Sequence, residues 1–281
     1  MVAKNKKKSS SRPRKAPSHK KKRKTARKEI RIGIWTITAI LAGLSILLSW
    51  PFLSKRHAGE KGAALPDGEY VYGMDNSHFQ TDIPWDSLMI LSGKDRKTIK
   101  SPKHAKDIRP VSYVFIKATE GNSMKDKRFS KHWKEAGESN IRRGAYHFFR
   151  SSKDPGQQAR NFIRTVGKLR YKDLPPVLDI ETIHSGCSRK TLNAKALEWL
   201  KIIEKHYGRK PIVYSSSSFI EDVLCDEIKE NYPIWVAHYD VDTPRYKDWD
   251  FWQFTDKALV HGVEGHVDLN VCSTETFRNM Q

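Results

Sequence analysis

Two carboxylates one residue apart close an apolar segment in the middle of the chain. Asp179 and Glu181 stand in the stretch PPVLDIE, where a short buried strand is expected to end. Because side chains alternate between the two faces of a strand, residues i and i+2 point to the same side, and both carboxyls should face one pocket. Neighbouring carboxyls shift each other's pKa, and a proton donor beside a carboxylate is what acid–base cleavage of a glycosidic bond requires.

Two further acids are expected at the same place. Asp75 closes the first apolar strand of the chain and Asp268 lies in the last one. In a closed β/α barrel the first and last strands are neighbours, and the active site lies at the carboxyl ends of the strands. Four acids around one pocket suit a glycosidic bond or a metal. His78 and His147 near strand ends keep the metal open as an alternative, but no His-x-x-x-His spacing is present, and we expect neither a metal nor a cofactor.

The segments that must position these acids alternate between short apolar strands and amphipathic helices. The clearest helix spans residues 189–207, with Ser188 as its N-cap and Gly208 just past its end. Weaker patterns predict helices at 130–139 and 155–167. Strands that alternate with helices form βαβ units, so we expect an α/β protein with a TIM-like barrel. The predicted strands cover residues 70–75, 112–119, 141–149, 176–181, 211–216, 232–239, 250–255 and 266–272.

The spacing of the predicted strands changes towards the C-terminus. The gaps from 239 to 250 and from 255 to 266 hold ten residues each. A parallel crossover with its helix needs at least about 10–12 residues. The last strands are therefore expected to lack full helices, which leaves room for an antiparallel strand.

The N-terminal residues differ from the rest of the chain. Residues 1–31 contain fifteen Lys and Arg and one Glu, so they hold +14 of the formal charge of +20 and predict a disordered tail. Residues 32–53 contain no charged side chain, and about 20 apolar residues suffice to cross a bilayer, so we predict a transmembrane signal anchor. A cleaved signal peptide is the alternative, but its apolar core would be only about 7–15 residues long.

Charge asymmetry fixes the orientation of this predicted single-pass anchor. Lys and Arg beside a first membrane helix stay in the cytoplasm, so the tail is expected inside and the catalytic domain outside the inner (cytoplasmic) membrane. Residues 54–68 are predicted to be a linker, and residues 69–281 the outer domain. Attraction to anionic membrane lipid accounts for the tail better than nucleic-acid binding, so no nucleic-acid partner is expected.

Two further features concern the surface and the cysteines of the outer domain. Residues 93–109 carry seven Lys and Arg against two Asp, and we interpret them as a basic surface loop, with attraction to an anionic polymer as the alternative. Three cysteines are too few for a disulfide framework. A Cys187–Cys225 pair is conceivable, whereas Cys272 ends an apolar strand and fits a small core residue.

Several blocks of the outer domain match a family pattern in order. The opening block is YGMDNSHFQTDIPWDSL, and later blocks are YVFIKATEG, RRGAYHFF, PPVLDIE, PIVYSS, YPIWVAHY, DFWQFT and VDLNV. From about residue 70 to 272 the chain resembles glycoside hydrolase family 25, the Chalaropsis-type lysozymes, whose first strand typically reads Gly-x-Asp-x-Ser-His-x-Gln. The resemblance implies a (β/α)5(β)3 barrel and cleavage of the β-1,4 bond after N-acetylmuramic acid in the glycan strands of peptidoglycan.

The same resemblance implies roles for individual residues. Glu181 matches the general acid of the family, and Asp179 matches the carboxylate that acts as nucleophile or positions the acetamido group of the substrate. Asp75 and Asp268 match the other two acidic positions of the pocket. The expected substrate-contacting neighbours are Tyr146, Tyr214 and Gln253.

Two alternatives to a muramidase stay open on the sequence. A chitinase-like glycosidase can also carry Asp-x-Glu on its fourth strand, but usually after a longer Asp-rich run than PPVLDIE offers. A catalytically silent peptidoglycan-binding module would not need the four acids. The chain departs from the family pattern in the basic 93–109 segment, in Cys272 and in its predicted anchor.

Overall fold

The computed structural model describes residues 62–280. The predicted tail, the predicted anchor and most of the predicted linker lie outside the described residues. Within residues 62–280, no helix combines the length and the apolar character needed to cross a bilayer.

Strands and helices alternate along the described part of the chain. The strands are β1 (Val71–Asn76), β2 (Met89–Ser92), β3 (Thr98–Ile99), β4 (Asp107–Pro110), β5 (Tyr113–Glu120), β6 (Met124–Lys125), β7 (Arg142–Phe148), β8 (Val177–Asp179), β9 (Ile212–Ser216), β10 (Ile234–Ala237), β11 (Phe251–Ala258) and β12 (Val267–Cys272). The helices are α1 (Phe129–Glu138), α2 (Pro155–Val166), α3 (Arg189–Tyr207), α4 (Ser217–Asp222), α5 (Asp226–Asn231) and α6 (Thr274–Asn279).

Eight of these strands form one closed sheet. Their order is β1-β12-β11-β10-β9-β8-β7-β5, and β1 pairs with β5 to complete the ring. β12 runs antiparallel to both of its neighbours, β1 and β11, whereas the other neighbours in the ring are parallel. The eight ring strands coincide with the eight predicted from the sequence, so the α/β barrel-like fold is confirmed.

The connections between ring strands shorten along the chain as the spacing predicted. α1, α2, α3 and the α4–α5 pair connect the parallel strands from β5 to β10. No helix lies in residues 238–250 or 259–266. α3 begins and ends as expected: the Ser188 Oγ accepts a hydrogen bond from the Thr191 N–H at 3.1 Å, and Gly208 takes the left-handed conformation with a φ of 67°.

The first connection corrects one expectation. Most of residues 93–109 are exposed, as expected of a surface segment, but the segment is not only a loop. It supplies β3 and most of β4, which flank β2 in a three-stranded antiparallel sheet. Ile90 belongs to the main hydrophobic core, and the Thr98 Oγ1 accepts a hydrogen bond from the Leu259 N–H at 2.9 Å, so this sheet packs against the rest of the domain. These strands were not predicted because they are short and most of the residues around them are lysines or other polar residues.

The barrel interior is filled in layers, which explains where the site lies. The lower layer is apolar and includes Tyr113, Phe115, Trp235, Phe251 and Cys272. Cys272 is thus a core residue as predicted, and all three cysteines are free thiols in the described part.

Two glycines in the interior make room for these aromatic rings. A Cβ on Gly73 would lie 2.3 Å from the Tyr113 ring, and a Cβ on Gly144 would lie 2.6 Å from the Phe115 ring. Packing therefore requires a glycine at position 73, two residues before Asp75.

Candidate active site

The upper layer of the barrel interior is polar. The alternation of inward and outward side chains continues up each strand, and the inward positions at this level carry mostly polar residues. On β5 the inward positions after Tyr113 and Phe115 lead to Lys117. The same rule brings Asp179 above Val177 on β8, with Glu181 just beyond the strand end. A cavity of about 260 Å³ opens at this layer, and it is lined by Asp75, Ser77, Phe79, Lys117, Tyr146, Phe148, Asp179, Glu181, Tyr214, Trp235, Tyr239, Gln253 and Asp268.

All seven residues predicted from the sequence line this one cavity. A second cavity of about 390 Å³ shares Glu181, Tyr214 and Tyr239 with it, so the two are adjacent around Glu181. A larger groove of about 630 Å³ runs past Trp85, shares no lining residue with these two cavities and contains none of the four acids. The chemistry that the sequence predicts therefore belongs to the barrel mouth.

Asp75 and Asp268 face each other across the seam of the barrel. They are direct partners in the antiparallel register of β1 and β12. Burial and the neighbouring Asp268 raise the pKa of Asp75 well above its usual range, and burial raises the pKa of Asp268 to about 6. Their shared hydrogen bond raises the pKa of Asp75 and lowers that of Asp268, so Asp75 is the member of the pair that keeps a proton.

A chain of hydrogen bonds fixes the orientation of Asp75. Its Oδ2 accepts from the Gln253 Nε2 at 2.7 Å and from the Asn270 Nδ2 at 2.8 Å. The hydroxyls of Tyr214 and Tyr239 donate to the Gln253 Oε1 at 2.8 and 2.5 Å. Because both amide nitrogens point at Asp75, the second oxygen of that carboxyl is left for its proton.

The Asp179–Glu181 pair combines a buried and an exposed carboxyl. Asp179 is 6% exposed, and its Oδ1 has no hydrogen-bond partner within residues 62–280. Burial, followed by the charge of Glu181, raises the pKa of Asp179 well above its usual range, while Lys117 acts in the opposite direction. Glu181 is exposed at the rim. The pair thus places one carboxyl on the floor of the cavity and one at its edge.

Lys117 is the one cation among the residues that line the 260 Å³ cavity. Its Nζ lies 2.9 Å from the Glu120 Oε2 and 4.8 Å from the centre of the Phe148 ring. Arg150 also pairs with Glu120 and approaches the same ring. This network holds the lysine in the pocket of acids.

Lys117 and Asn270 belong to the site but were not predicted from the sequence. Both follow the alternation that was used for Asp179: Asn270 is two residues after Asp268, and Lys117 is two residues after the inward-facing Phe115. The same rule applied to every strand would have found them.

The two histidines considered as metal ligands have other partners. The His147 Nδ1 lies 2.7 Å from the Thr119 Oγ1 and its Nε2 lies 3.1 Å from the Gln158 Oε1, so both ring nitrogens are engaged in a buried network. The His78 Nδ1 lies 3.0 Å from the Asp126 Oδ2. Within residues 62–280, no group of three or more His, Cys, Asp and Glu residues is placed to hold a metal ion.

Comparison with known proteins decides the family. The sequence profile of glycosyl hydrolases family 25 matches residues 74–263, which contain Asp75, Asp179 and Glu181. The chain belongs to glycosyl hydrolases family 25. It is therefore a glycoside hydrolase.

Several known proteins are similar to most of this chain. Lysozyme M1 of Streptomyces globisporus is 32% identical over 225 residues, which cover 75% of this chain and 70% of that protein. The protein YegX of Escherichia coli K12 is 37% identical over 209 residues, which cover 74% of this chain and 71% of YegX. The structure of a family 25 glycosyl hydrolase from Bacillus anthracis is 29% identical, with a TM-score of 0.63, and the match covers 79% of this chain and 97% of that one.

In this family 25 enzyme, the raised pKa of Asp268 beside Asp75 is expected to make the free energy of unfolding depend on pH. Because the folded pKa of Asp268 is about 6 against an ordinary value of 3.8, the folded state binds more protons than the unfolded state in that window, and stability falls as the pH rises through it. Replacing Asp268 by Asn should therefore stabilise the fold at pH 7 by on the order of 1–2 kcal/mol, with little change at pH 4.

Urea unfolding at the two pH values measures this difference. Asp242→Asn, which removes an exposed carboxyl outside the cavity, serves as the matched control. An equal gain from Asp268→Asn at both pH values would contradict the shared-proton interpretation.

Proposed function

We propose that this family 25 enzyme hydrolyses peptidoglycan, and that it cleaves the β-1,4 bond between N-acetylmuramic acid and N-acetylglucosamine. The observation that carries the proposal is the juxtaposition of four carboxyls at the mouth of a barrel of this family. The similarity to Lysozyme M1 supports the choice of a muramidase.

In this proposal Glu181 is the general acid. Its exposed position lets the carboxyl reach the oxygen that links two sugars, and it gives its proton to that oxygen as the bond to C1 breaks. A water molecule then adds to C1 and returns a proton to Glu181. Asp179, on the floor of the cavity, faces the positive charge that develops at C1. It acts either as the nucleophile or by positioning the acetamido group of the substrate.

The remaining predicted residues hold the sugar. Asp75 gives its proton to the hydrogen bond with Asp268, so the ionised Asp268 can accept hydrogen bonds from sugar hydroxyls. Tyr146 and Tyr214 present rings to the apolar faces of the sugar. Gln253 acts by holding Asp75 and Tyr214 in place.

Lys117 should set the pH range over which Asp179 is ionised. Burial and Glu181 raise the pKa of Asp179 and the charge of Lys117 opposes them, so Lys117→Met raises that pKa further. Because the proposed role needs an ionised Asp179, the low-pH limb of the kcat/KM profile should move to higher pH in Lys117→Met. Lys117→Arg keeps the charge and should keep the profile. An unshifted limb in Lys117→Met would contradict this role.

The proposal extends to the whole chain. Residues 1–31 form a cytoplasmic tail, residues 32–53 a single-pass anchor in the inner membrane and residues 54–68 a linker, so the barrel domain at 69–281 works outside the cytoplasm. The uncharged run of 22 residues supports the anchor. We assign the barrel to the (β/α)5(β)3 type, which the helix-free connections after β10 support. The small sheet in the first connection is its departure from that type.

The products of hydrolysis test the function. Purified peptidoglycan is digested with the enzyme, and the soluble fragments are reduced with borohydride and analysed by mass spectrometry. Reduced muramitol ends support a muramidase, whereas glucosaminitol ends place the cleavage at the other linkage. Release from chitin oligomers alone would favour a chitinase-like enzyme. Binding to the wall without any soluble product would refute hydrolysis.

A further inference from the structure

A strongly basic surface has no residue in common with the proposed catalytic cavity. This surface, the basic sheet, is formed by β2, β3, β4 and the residues that connect them. Four of its lysines are exposed, and their ammonium groups form no ion pair within residues 62–280. These lysines are Lys94, Lys97, Lys103 and Lys106. The arginines of the sheet differ, because Arg96 pairs with Asp67 and Arg109 pairs with Asp107.

The basic sheet also exposes an apolar side chain. Ile108 lies in β4 and is 59% exposed, although its cross-strand partner Leu91 is buried. Lys106 is two residues before Ile108 and therefore projects from the same side of the chain. An exposed isoleucine beside an unpaired lysine suits a lipid surface whose phosphates take the cation and whose acyl boundary takes the apolar group.

The chain enters the domain at this sheet. The Gly62 N–H donates to the Thr98 carbonyl at 2.8 Å, and the Leu65 N–H donates to the Arg96 carbonyl at 3.0 Å. Ala64 forms an antiparallel bridge with Lys97. Eight residues separate Gly62 from the end of the proposed anchor at residue 53, and eight residues reach at most about 28 Å. An anchored chain therefore cannot move this edge farther than about 28 Å from the end of the proposed anchor.

We propose that the basic sheet is a docking surface for an anionic phospholipid membrane. The four unpaired lysines bind lipid phosphates, and Ile108 enters the interface between headgroups and acyl chains. This contact is separate from glycan hydrolysis and does not involve the catalytic cavity. It would hold the barrel at the membrane surface, whereas a linker alone would let the barrel move as far as the linker reaches.

Vesicle binding by residues 60–281 tests the proposal without the tail and the proposed anchor. This segment forms one compact unit that contains the whole closed sheet, and the similar Bacillus anthracis structure consists almost entirely of the matching domain. The protein should sediment with vesicles of phosphatidylcholine and phosphatidylglycerol but not with phosphatidylcholine alone, and added salt should weaken the binding. Absent binding, or equal binding to both vesicles, would overturn the proposal.

Two matched variants locate the surface. Changing Lys94, Lys97, Lys103 and Lys106 to Gln should weaken vesicle binding by at least about tenfold. The control changes four exposed lysines on or near α3 to Gln, which alters the net charge equally; these are Lys190, Lys201, Lys205 and Lys210. Equal losses in the two variants would mean general charge attraction and would overturn the assignment. Both variants should retain hydrolysis, which confirms their fold.

Ile108 distinguishes a membrane from a soluble polyanion. Ile108→Thr keeps a β-branched residue in β4 and should weaken vesicle binding, but it should not alter binding to soluble polyphosphate. Unchanged vesicle binding by Ile108→Thr, with equally strong binding of the parent protein to polyphosphate, would overturn the lipid assignment in favour of a soluble polymer. Alkaline extraction of the full chain from membranes tests the proposed anchor separately.

Discussion

Replacing Glu181 by Gln is expected to abolish nearly all peptidoglycan hydrolysis while the fold stays intact. The amide has the shape of the carboxyl but has no proton to give to the glycosidic oxygen. General acid catalysis contributes about 10²–10⁴-fold, so kcat should fall by that factor. Glu181 is exposed, so the substitution should leave the free energy of unfolding nearly unchanged. Release of reducing ends from purified peptidoglycan measures the loss.

A second substrate separates loss of the acid from general damage to the site. An aryl glycoside whose leaving group needs no protonation should restore bond cleavage in Glu181→Gln to a large extent. Glu198→Gln, an exposed change on α3, is the matched control and should behave as the parent enzyme. Retained hydrolysis of peptidoglycan by Glu181→Gln would refute the assignment of the general acid.

The sequence was sufficient for the parts of the fold that depend on local pattern. Short apolar runs predicted all eight strands of the ring, and period-two alternation placed Asp179 and Glu181 on one side. Closure of the barrel then brought Asp75 and Asp268 together, although nearly the whole domain separates them in sequence. Local pattern and one topological rule together located the candidate site.

What the sequence did not reveal depends on cross-strand register and on side-chain reach. That Gln253 and Asn270 both donate to Asp75 follows from the pairing of β12 with β1 and β11, which no local pattern specifies. The basic sheet was missed because its strands are short and their alternation is hidden among lysines. The raised pKa of Asp75 could not be predicted from the residue types alone, because it depends first on the burial of this carboxyl and then on the neighbouring Asp268.

Asp179→Asn is expected to lower kcat by at least about 10²-fold with a smaller change in KM. Asp179 lies on the cavity floor with one oxygen that has no hydrogen-bond partner in the described part of the chain, so this carboxylate is available to the reacting sugar. Its negative charge is most valuable when positive charge develops at C1, and an interaction made chiefly in the transition state affects kcat more than KM. The aryl glycoside that restores Glu181→Gln should not restore Asp179→Asn.

The two possible roles of Asp179 predict different behaviour in Asp179→Ala. If the carboxylate is the nucleophile, azide can enter the vacated space, attack C1 and restore turnover with a glycosyl azide of inverted configuration as the product. If Asp179 instead positions the acetamido group, that group remains the nucleophile, and azide should not restore the first step. Full activity of Asp179→Asn on peptidoglycan would refute both roles and would leave Glu181 to act with the Asp75–Asp268 pair alone.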